Sequence, residues 1–226
     1  MIVVLVRHGQ TQWNLEHRLQ SDTDAPGVQL TTLGREQAAE IPLTFDCSWG
    51  DWSWDDAVNS ATFYTSPLKR CLETLDCMGV DAHADRVVRD NDLRERSLGA
   101  LAGLVLDRDV AKRLKAGAEE DGIETTDALM QRSRRALEAI CAAEARNAQS
   151  GRNERIAVCV THGAFMQSVG RWAGPNRKWP RVENGHVCVL RRDDRTTRWS
   201  ILDWNKGCKG SKASSDVATF GGGDFG

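Results

Sequence analysis

The sequence contains no block of lysines or arginines, no long apolar run and no closely spaced pair of cysteines. Its 30 basic and 32 acidic residues give a net charge of −2, which argues against the strongly basic surface that binds nucleic acid. The apolar run Met1–Val6 is too short for a signal-peptide core or a membrane span. The seven cysteines match no CxxC or zinc-ligand spacing, which favours reduced thiols. We therefore expect a cytoplasmic protein that binds neither nucleic acid nor membranes.

The length and composition predict one globular domain followed by a tail. A chain of 226 residues, 40% of them hydrophobic, suffices for one sizeable core. Residues 1–204 carry the periodic apolar patterns, whereas residues 205–226 are rich in Gly, Ser and Lys and are expected to form a flexible tail. The segment 48–56 holds three tryptophans among acidic residues. We interpret it as a loop whose rings pack locally, although a partner-binding loop or lid stays open.

Two short β-branched runs each end at a histidine. Ile2–Val6 precedes Arg7 and His8, and Ile156–Thr161 precedes His162. Uninterrupted apolar runs of this length predict strands that are buried on both faces, as in parallel or mixed sheets. The carboxyl edge of such a sheet is where α/β proteins bind ligands. We therefore expect both histidines to lie at one ligand-binding edge.

Helix start signals alternate with these strands. Thr31 and Ser66-Pro67 are typical of helix N-termini, and Thr126–Ala145 has apolar residues on one helical face. Two later runs, His186–Leu190 and Trp199–Leu202, predict antiparallel strands. Strands that alternate with helices favour an α/β fold. We expect a three-layer α/β/α sandwich with a mostly parallel central sheet.

Arg7, His8 and Gly9 combine residue types that suit phosphoryl chemistry. A neutral imidazole nitrogen can attack phosphorus and hold it covalently. Arginine binds two phosphate oxygens through its guanidinium fork, and glycine lets the backbone approach a ligand closely. A surface histidine beside a surface arginine would give the same triplet, so the triplet predicts chemistry only together with further elements.

Three further residues would supply what this chemistry lacks. Arg70 is predicted in the first turn of a helix, where free N–H groups already favour anions. Glu95 is a candidate acid that gives a proton to the leaving alkoxide and later takes one from water. His162, when protonated beside phosphate, would stabilise charge on the transferring group. Taken alone, each of these residues is as typical of an ordinary surface or core side chain as of a functional one.

Together, five ordered motifs resemble the histidine phosphatase (phosphoglycerate mutase-like) superfamily. They are VRHGQTxxN (6–14), LTxxGxxQA (30–38), SPLKR (66–70), LRER…G (93–99) and VTHG (160–163). The resemblance covers most of residues 1–190 and implies that residues 1–204 form a catalytic domain with a phosphoglycerate mutase-like fold. It also implies phosphoryl transfer without a metal or cofactor, in which positioning and fixed positive charge supply most of the catalysis.

The resemblance implies a role for each site residue. His8 would be the phosphorylated nucleophile, and Glu95 would be the acid and base. Arg7, Arg70 and His162 would hold the phosphoryl group. The substrate would be a small phosphorylated metabolite or a phosphoprotein. Four residues around the same pocket would bind it: Asn14, Gln20, Ser21 and Gly163.

Two alternatives to a phosphatase stay open. The stretch Glu95–Leu104 resembles ERHYGALQGL of the cofactor-dependent phosphoglycerate mutases, which must grip a second anionic group and exclude water. Against a mutase, Leu106 stands where those enzymes have a substrate-binding lysine, Ala164 replaces an asparagine, and their long insert is missing. The cations of 107–125 are more typical of a solvated helix face than of a substrate cap. A non-catalytic binding module is the second alternative, and a homodimer is compatible with the sequence.

Overall fold

The computed structural model describes residues 1–47, 53–117, 121–146 and 155–207. Within these ranges a six-stranded sheet lies at the centre, in the order β3-β2-β4-β1-β5-β6. The strands are β1 (Ile2–Arg7), β2 (Thr62–Thr65), β3 (Val87–Arg89), β4 (Ile156–Thr161), β5 (Val187–Arg192) and β6 (Trp199–Lys206). The first four are parallel, whereas β5 and β6 pair in antiparallel fashion. The mostly parallel sheet and the two late antiparallel strands are therefore confirmed.

Helices cover both faces of this sheet. Their bounds are α1 (Gln12–Leu15), α2 (Thr32–Glu40), α3 (Trp54–Ser60), α4 (Lys69–Cys77), α5 (Arg108–Ala116), α6 (Thr126–Arg146) and α7 (Gly163–Ala173). Short 3₁₀ turns lie at Ile41–Cys47, Asn91–Leu93 and Gly99–Leu101. Helix α2 packs against α4, and α6 packs against α7.

The side chains of β1 alternate between two apolar cores. Ile2 and Val4 pack on one face of the sheet with Leu75 of α4, whereas Val3 and Leu5 pack on the other face against α6 and α7. Successive side chains of a strand point to opposite faces, so each buried position of β1 holds one helical layer in place. Burying one such side chain contributes about 1.5–3 kcal/mol. The result is the three-layer α/β/α sandwich that the sequence predicts.

The helix start at Thr31 is confirmed, whereas the start at Ser66 is wrong. Thr31 Oγ1 accepts a hydrogen bond of 3.0 Å from the backbone N–H three residues on and caps α2. Helix α4 begins later than predicted, because Leu68 occupies the N-cap and makes no side-chain capping bond. The Ser66 hydroxyl oxygen accepts a long hydrogen bond of 3.4 Å from the Leu68 N–H and lies 2.8 Å from Nε2 of His162. The tertiary contact is the shorter one, so the serine serves the pocket more than the helix end.

The tryptophan-rich segment is described in part. The Trp54 ring packs edge-on against Phe45 and Phe63, with ring centroids 4.9 and 6.0 Å apart. The loop predicted over 48–56 is therefore wrong for its described end, because Trp54 opens α3 and its ring packs on the core of the sheet. Residues 48–52 lie outside the described residues.

The domain extends slightly beyond its predicted end. Asn205 and Lys206 belong to β6 and not to a tail, because Asn205 Oδ1 accepts a hydrogen bond of 2.7 Å from the Glu183 N–H. Residues 208–226, where the flexible tail is predicted, lie outside the described residues. No helix in the described ranges is both long enough and apolar enough to cross a membrane.

Candidate active site

The carboxyl ends of three parallel strands meet at one edge of the sheet. Arg7 is the Cα partner of Thr161 in the register of β1 and β4, so His8 and His162 follow at the same level. Their rings lie edge to face, with centroids 5.2 Å apart. Strand β2 pairs with the other side of β4, which places Ser66 at the same edge. The structure therefore brings the two predicted histidines together, as the strand pattern indicates.

The His8 ring is held in one tautomer. Its Nδ1 atom lies 2.8 Å from the Gly9 carbonyl oxygen. Because a carbonyl oxygen only accepts, Nδ1 carries the proton and donates it to this hydrogen bond. Burial, followed by the charges of Arg70 and Arg7, lowers the pKa of His8 well below its ordinary value. The ring is therefore neutral, and the Nε2 lone pair is available as a nucleophile.

Tertiary contacts fix the loop that follows β1. The Gly9 N–H donates to Thr74 Oγ1 at 3.1 Å, and Asn184 Nδ2 donates to the His8 carbonyl oxygen at 3.0 Å. A Cβ atom at Gly9 would collide with the Gly34 backbone, so the approach of α2 to this loop requires glycine. The nucleophile is thus oriented before a substrate arrives.

Backbone carbonyl groups fix two buried guanidinium planes in the pocket. Arg70 is fully buried; its Nη1 donates to Thr23 O at 3.0 Å and its Nη2 donates to Ser21 O at 2.8 Å. Arg7 Nη1 donates to Val182 O at 2.6 Å. Two segments from distant parts of the chain, at 21–23 and at Val182, therefore set the orientation of the two cations.

The Nε–H groups of Arg7 and Arg70 are buried and have no hydrogen-bond partner among the described residues. An unpaired buried donor costs about 1–3 kcal/mol, and more when it is charged. Burial, with a further contribution from Arg181, lowers the pKa of Arg7 to about 9, and burial also lowers the pKa of Arg70. A phosphoryl group would pair both donors and supply the negative charge that these cations lack.

His162 is held by a hydroxyl and a thiol. Its Nε2 atom lies 2.8 Å from Ser66 Oγ and 3.4 Å from Cys71 Sγ. Burial, followed by the charges of Arg70 and His8, lowers the pKa of His162 well below its ordinary value. The ring is therefore neutral in the protein alone, which differs from the protonated form expected beside phosphate. A phosphate dianion favours the protonated form, so protonation on binding stays a prediction.

The Glu95 carboxylate lies at the N-terminus of α7. Its two oxygens accept from the Ala164 N–H at 3.2 and 3.4 Å, and one of them accepts from the Arg96 N–H at 2.9 Å. The helix dipole favours a carboxylate in this position. The charge of Glu95 also reaches Arg7 and Arg70, since it opposes the lowering of their pKa values. A candidate acid and base thus borders the same pocket as the nucleophile.

Two of the predicted substrate-binding residues leave a hydrogen-bonding atom available to a ligand, a donor beside Gly163 and an acceptor on Gln20. A Cβ atom at Gly163 would lie 3.3 Å from Arg7 Nε, so glycine keeps that donor accessible. Gln20 is buried, and its Oε1 has no partner among the described residues.

Arg94, which the sequence reasoning assigned no role, donates through Nη2 to Asp22 O at 2.6 Å. Its Nε is also buried without a described partner, which makes it a further candidate anion donor.

The other two predicted substrate-binding residues are engaged within the protein. Ser21 Oγ accepts from the Leu98 N–H at 2.8 Å. Asn14 Oδ1 accepts from the Thr11 N–H at 3.1 Å and from Asn184 Nδ2 at 3.2 Å. These contacts give both residues a supporting role in the pocket wall, and their contact with substrate stays a prediction.

Sequence reasoning missed the segment just before β5. Asn184 holds the His8 loop, Val182 binds Arg7, and Arg181 lies beside them with an exposed side chain. The sequence does contain a signal for this segment. Strand β5 runs antiparallel to β1, so it begins at the edge of the sheet where β1 ends. Residues that precede the predicted strand must therefore lie beside the end of β1.

The described residues contain no group of three or more His, Cys, Asp or Glu side chains that could hold a metal ion. Metal independence itself stays a prediction. Five cysteines in the described part of the chain are free thiols: Cys71, Cys77, Cys141, Cys159 and Cys188.

Comparison with known proteins assigns the chain to one family. The family model for the histidine phosphatase superfamily (branch 1) matches residues 3–207. The chain is 32% identical over 213 residues to phosphoglycerate mutase-like protein 4 of Arabidopsis thaliana, covering 89% of this chain and 84% of that protein. It is 28% identical over 213 residues to the metal-independent phosphoserine phosphatase of Arabidopsis thaliana, covering 90% and 80%.

A solved structure shows the same fold. The phosphoglycerate mutase of Bacillus anthracis str. Sterne matches with a TM-score of 0.70 at 18% identity, covering 91% of this chain and 92% of that chain. The family match spans β1 to β6 and therefore includes every residue of the candidate active site. The chain belongs to branch 1 of the histidine phosphatase superfamily and is a phosphoryl-transfer enzyme.

Proposed function

We propose that this protein is a metal-independent phosphomonoester hydrolase that works through a phosphohistidine at His8. The observation that carries the proposal is the neutral, fixed His8 ring beside two buried guanidinium groups with unpaired Nε–H donors. The His8 ring is a nucleophile for phosphorus, and the two guanidinium groups form a site for the phosphoryl anion. A small phosphorylated metabolite is the expected substrate, and a phosphoprotein is the second candidate.

In the first step, Nε2 of His8 attacks phosphorus, and the bond from phosphorus to the ester oxygen breaks. The electron pair stays on the ester oxygen, which takes a proton from the carboxyl group of Glu95 and leaves as an alcohol. Arg7 and Arg70 donate hydrogen bonds to the transferring phosphoryl oxygens. Because these donors are fixed by backbone carbonyl groups, they need little reorganisation as charge develops.

In the second step, a water molecule attacks the phosphorus atom of the phosphohistidine. The Glu95 carboxylate takes a proton from this water, and the electron pair of the phosphorus–nitrogen bond returns to Nε2 of His8. Orthophosphate leaves, and Glu95 is protonated again for the next cycle. The backbone N–H donors of Ala164 and Arg96 keep the carboxylate oriented for both steps.

Helix α5 and its surroundings favour water over a sugar acid as the acceptor. Lys112 pairs with Asp109, and Arg113 pairs with Asp121. Three of these four side chains are substantially exposed, as in a solvated helix face. Leu106, just before α5, stands where the phosphoglycerate mutases have a substrate-binding lysine. The relative named metal-independent phosphoserine phosphatase also supports hydrolysis.

The test is phosphate release from 4-nitrophenyl phosphate in excess EDTA, by wild type, His8→Ala and His83→Ala. His83 is an exposed histidine outside the pocket and is therefore the matched control. We expect wild type and His83→Ala to be equally active and unaffected by EDTA. His8→Ala should lose roughly a thousandfold or more in kcat, as expected for loss of a covalent nucleophile. Rapid quenching should trap acid-labile phosphate on the wild type and none on His8→Ala.

Four results would overturn parts of the proposal. Release that stops in EDTA and returns with a divalent cation would contradict metal independence. Release that persists in His8→Ala would contradict the phosphohistidine step. Interconversion of phosphoglycerates that is faster than phosphate release would identify a mutase, and binding without any turnover would identify a binding module.

A further inference from the structure

Arg181 carries a positive charge beside the pocket that no described residue pairs. Its side chain is exposed, and it takes part in no hydrogen bond or ion pair within the described ranges. It immediately precedes Val182, whose carbonyl oxygen accepts the 2.6 Å hydrogen bond from Arg7 Nη1. Asn184, three positions on, donates to the carbonyl oxygen of His8. The Arg181 side chain therefore starts from a backbone segment that forms the pocket wall.

The charge of Arg181 acts inside the pocket. After burial, it is the next cause that lowers the pKa of Arg7. Its effect on the pKa of His8 is smaller than those of burial, Arg70 and Arg7. Glu183 acts on Arg7 in the opposite sense, but it forms no ion pair with Arg181 in the described part of the chain. Because an arginine is charged at neutral pH, an unpaired cation lies beside the substrate site on this wall.

The phosphoryl group does not need this cation. Arg7 and Arg70 are buried, and each already offers an unpaired Nε–H. Arg181 differs because it is exposed although its charge acts on Arg7, so its guanidinium is available to the part of a substrate that extends outward from the phosphoryl group. That part is the leaving group.

We infer that Arg181 binds a second anionic group of the substrate, so that the preferred substrates are phosphomonoesters whose leaving group carries a carboxylate or a further phosphate. The guanidinium fork matches both groups, since each offers two oxygens in one plane. The inference rests on the proposed phosphatase function and specifies the substrate class of that same site.

The test compares substrates that differ in the second anion. In one pair, 3-phosphoglycerate is compared with glycerol 3-phosphate, in which the carboxylate is replaced by a hydroxymethyl group. In the other pair, glucose 1,6-bisphosphate is compared with glucose 6-phosphate. Each is assayed with wild type, Arg181→Gln and Arg177→Gln. Arg177 is an exposed arginine of the same loop whose guanidinium stacks on the Trp179 ring at 4.5 Å, which makes it the matched control.

We expect wild type to favour, in kcat/KM, the member that carries the second anionic group in at least one pair. Arg181→Gln should reduce that preference by roughly tenfold, the lower end for a charge-assisted hydrogen bond because the side chain is exposed. The loss should appear mainly in KM, while kcat/KM for glycerol 3-phosphate and glucose 6-phosphate changes less than about threefold. Arg177→Gln should keep the wild-type preference. The pair that responds identifies the carboxylate or the phosphate as the second anion.

Two outcomes overturn the inference, and both are separable from failure of the proposed hydrolysis. If Arg181→Gln lowers kcat/KM equally for all four substrates and moves the pH profile, Arg181 acts only on the pKa of His8. If wild type shows no preference in either pair, no second anion is bound. In both cases phosphate release that depends on His8 would leave the phosphatase proposal intact, whereas its absence would remove both.

Discussion

The Ser66 hydroxyl oxygen and Nε2 of His162 lie 2.8 Å apart and connect the end of β2 with the end of β4. Both residues are fully buried, so neither can exchange this partner for water without a change in structure. The hydrogen bond fixes the plane of the His162 ring, which faces His8 at 5.2 Å between centroids. Ser66 is therefore a positioning residue that acts through His162.

Removing this hydroxyl should lower activity. Ser66→Ala frees the His162 ring and leaves its Nε2 without the serine partner, so we expect kcat for an aryl phosphate to fall roughly tenfold, the equivalent of about 1.4 kcal/mol. Ser168→Ala is the matched control, because Ser168 is also buried but bonds to Ser133 Oγ at 2.9 Å. It should lose stability to urea and keep its kcat. An unchanged kcat in Ser66→Ala would show that the ring is positioned by other contacts.

Replacing Arg70 by lysine should weaken anion binding even though the charge is kept. A lysine cannot donate to both Ser21 O and Thr23 O while also offering a third donor to phosphate. We expect Arg70→Lys to lower kcat/KM by roughly a hundredfold or more, as for removal of one fixed transition-state donor. Orthophosphate should raise the melting temperature of the wild type and have a smaller effect on Arg70→Lys. Arg35→Lys, an exposed arginine paired with Glu73, is the matched control.

Stability should fall in mild acid because of the two pocket histidines. Burial lowers the pKa of His8 and His162 in the folded protein, so below about pH 6.5 the unfolded chain binds more protons than the folded one. Above that pH the two histidines should not reduce the free energy of unfolding. Below it, the free energy of unfolding should decrease by up to about 1.4 kcal/mol per pH unit for each histidine.

Urea unfolding of wild type, His8→Ala and His83→Ala at pH 7.5 and 5.5 measures this effect. His8→Ala should lose less stability between the two pH values than wild type, because one of the two histidines is gone. His83→Ala should behave as wild type. Equal losses in wild type and His8→Ala would refute the assignment of the acid sensitivity to His8.

A buried pair outside the pocket should affect stability alone. Tyr64 Oη donates to Glu144 Oε1 at 2.8 Å, and both residues are buried. Tyr64→Phe keeps the ring but leaves a buried carboxylate oxygen without this donor, so the free energy of unfolding should drop by about 1–3 kcal/mol. The double variant Tyr64→Phe, Glu144→Gln should recover part of the loss. A fall in kcat of the single variant, measured well below its melting temperature, would contradict a purely structural role.

The parts of the site that follow from local sequence were predictable. The two β-branched runs before His8 and His162 indicated neighbouring buried strands, and their register brings the rings together. The residue type of Thr31 predicts a helix cap, and its hydroxyl accepts a hydrogen bond from the backbone N–H three residues away. Such signals depend on residues that are close in the chain, where propensity and pattern act directly.

The supports of the site were not predictable in this way. Backbone carbonyl groups of Ser21, Thr23 and Val182 hold the two arginines, and a carbonyl group has no side-chain signature. Ser66 has a capping pattern in sequence but bonds to a histidine 96 positions away. Contacts of this kind depend on the tertiary structure, which overrides the local preference.

The long separation of these supports has a consequence for the order in which the enzyme becomes competent during synthesis. Arg7 is held by a carbonyl group 175 positions later, and the His8 loop is held by a side amide 176 positions later. A growing chain therefore carries its nucleophile for most of translation without the partners that orient it. Activity should begin only once the segment before β5 has left the ribosome and docked, so that a partly made chain is not phosphorylated by cellular phosphate esters.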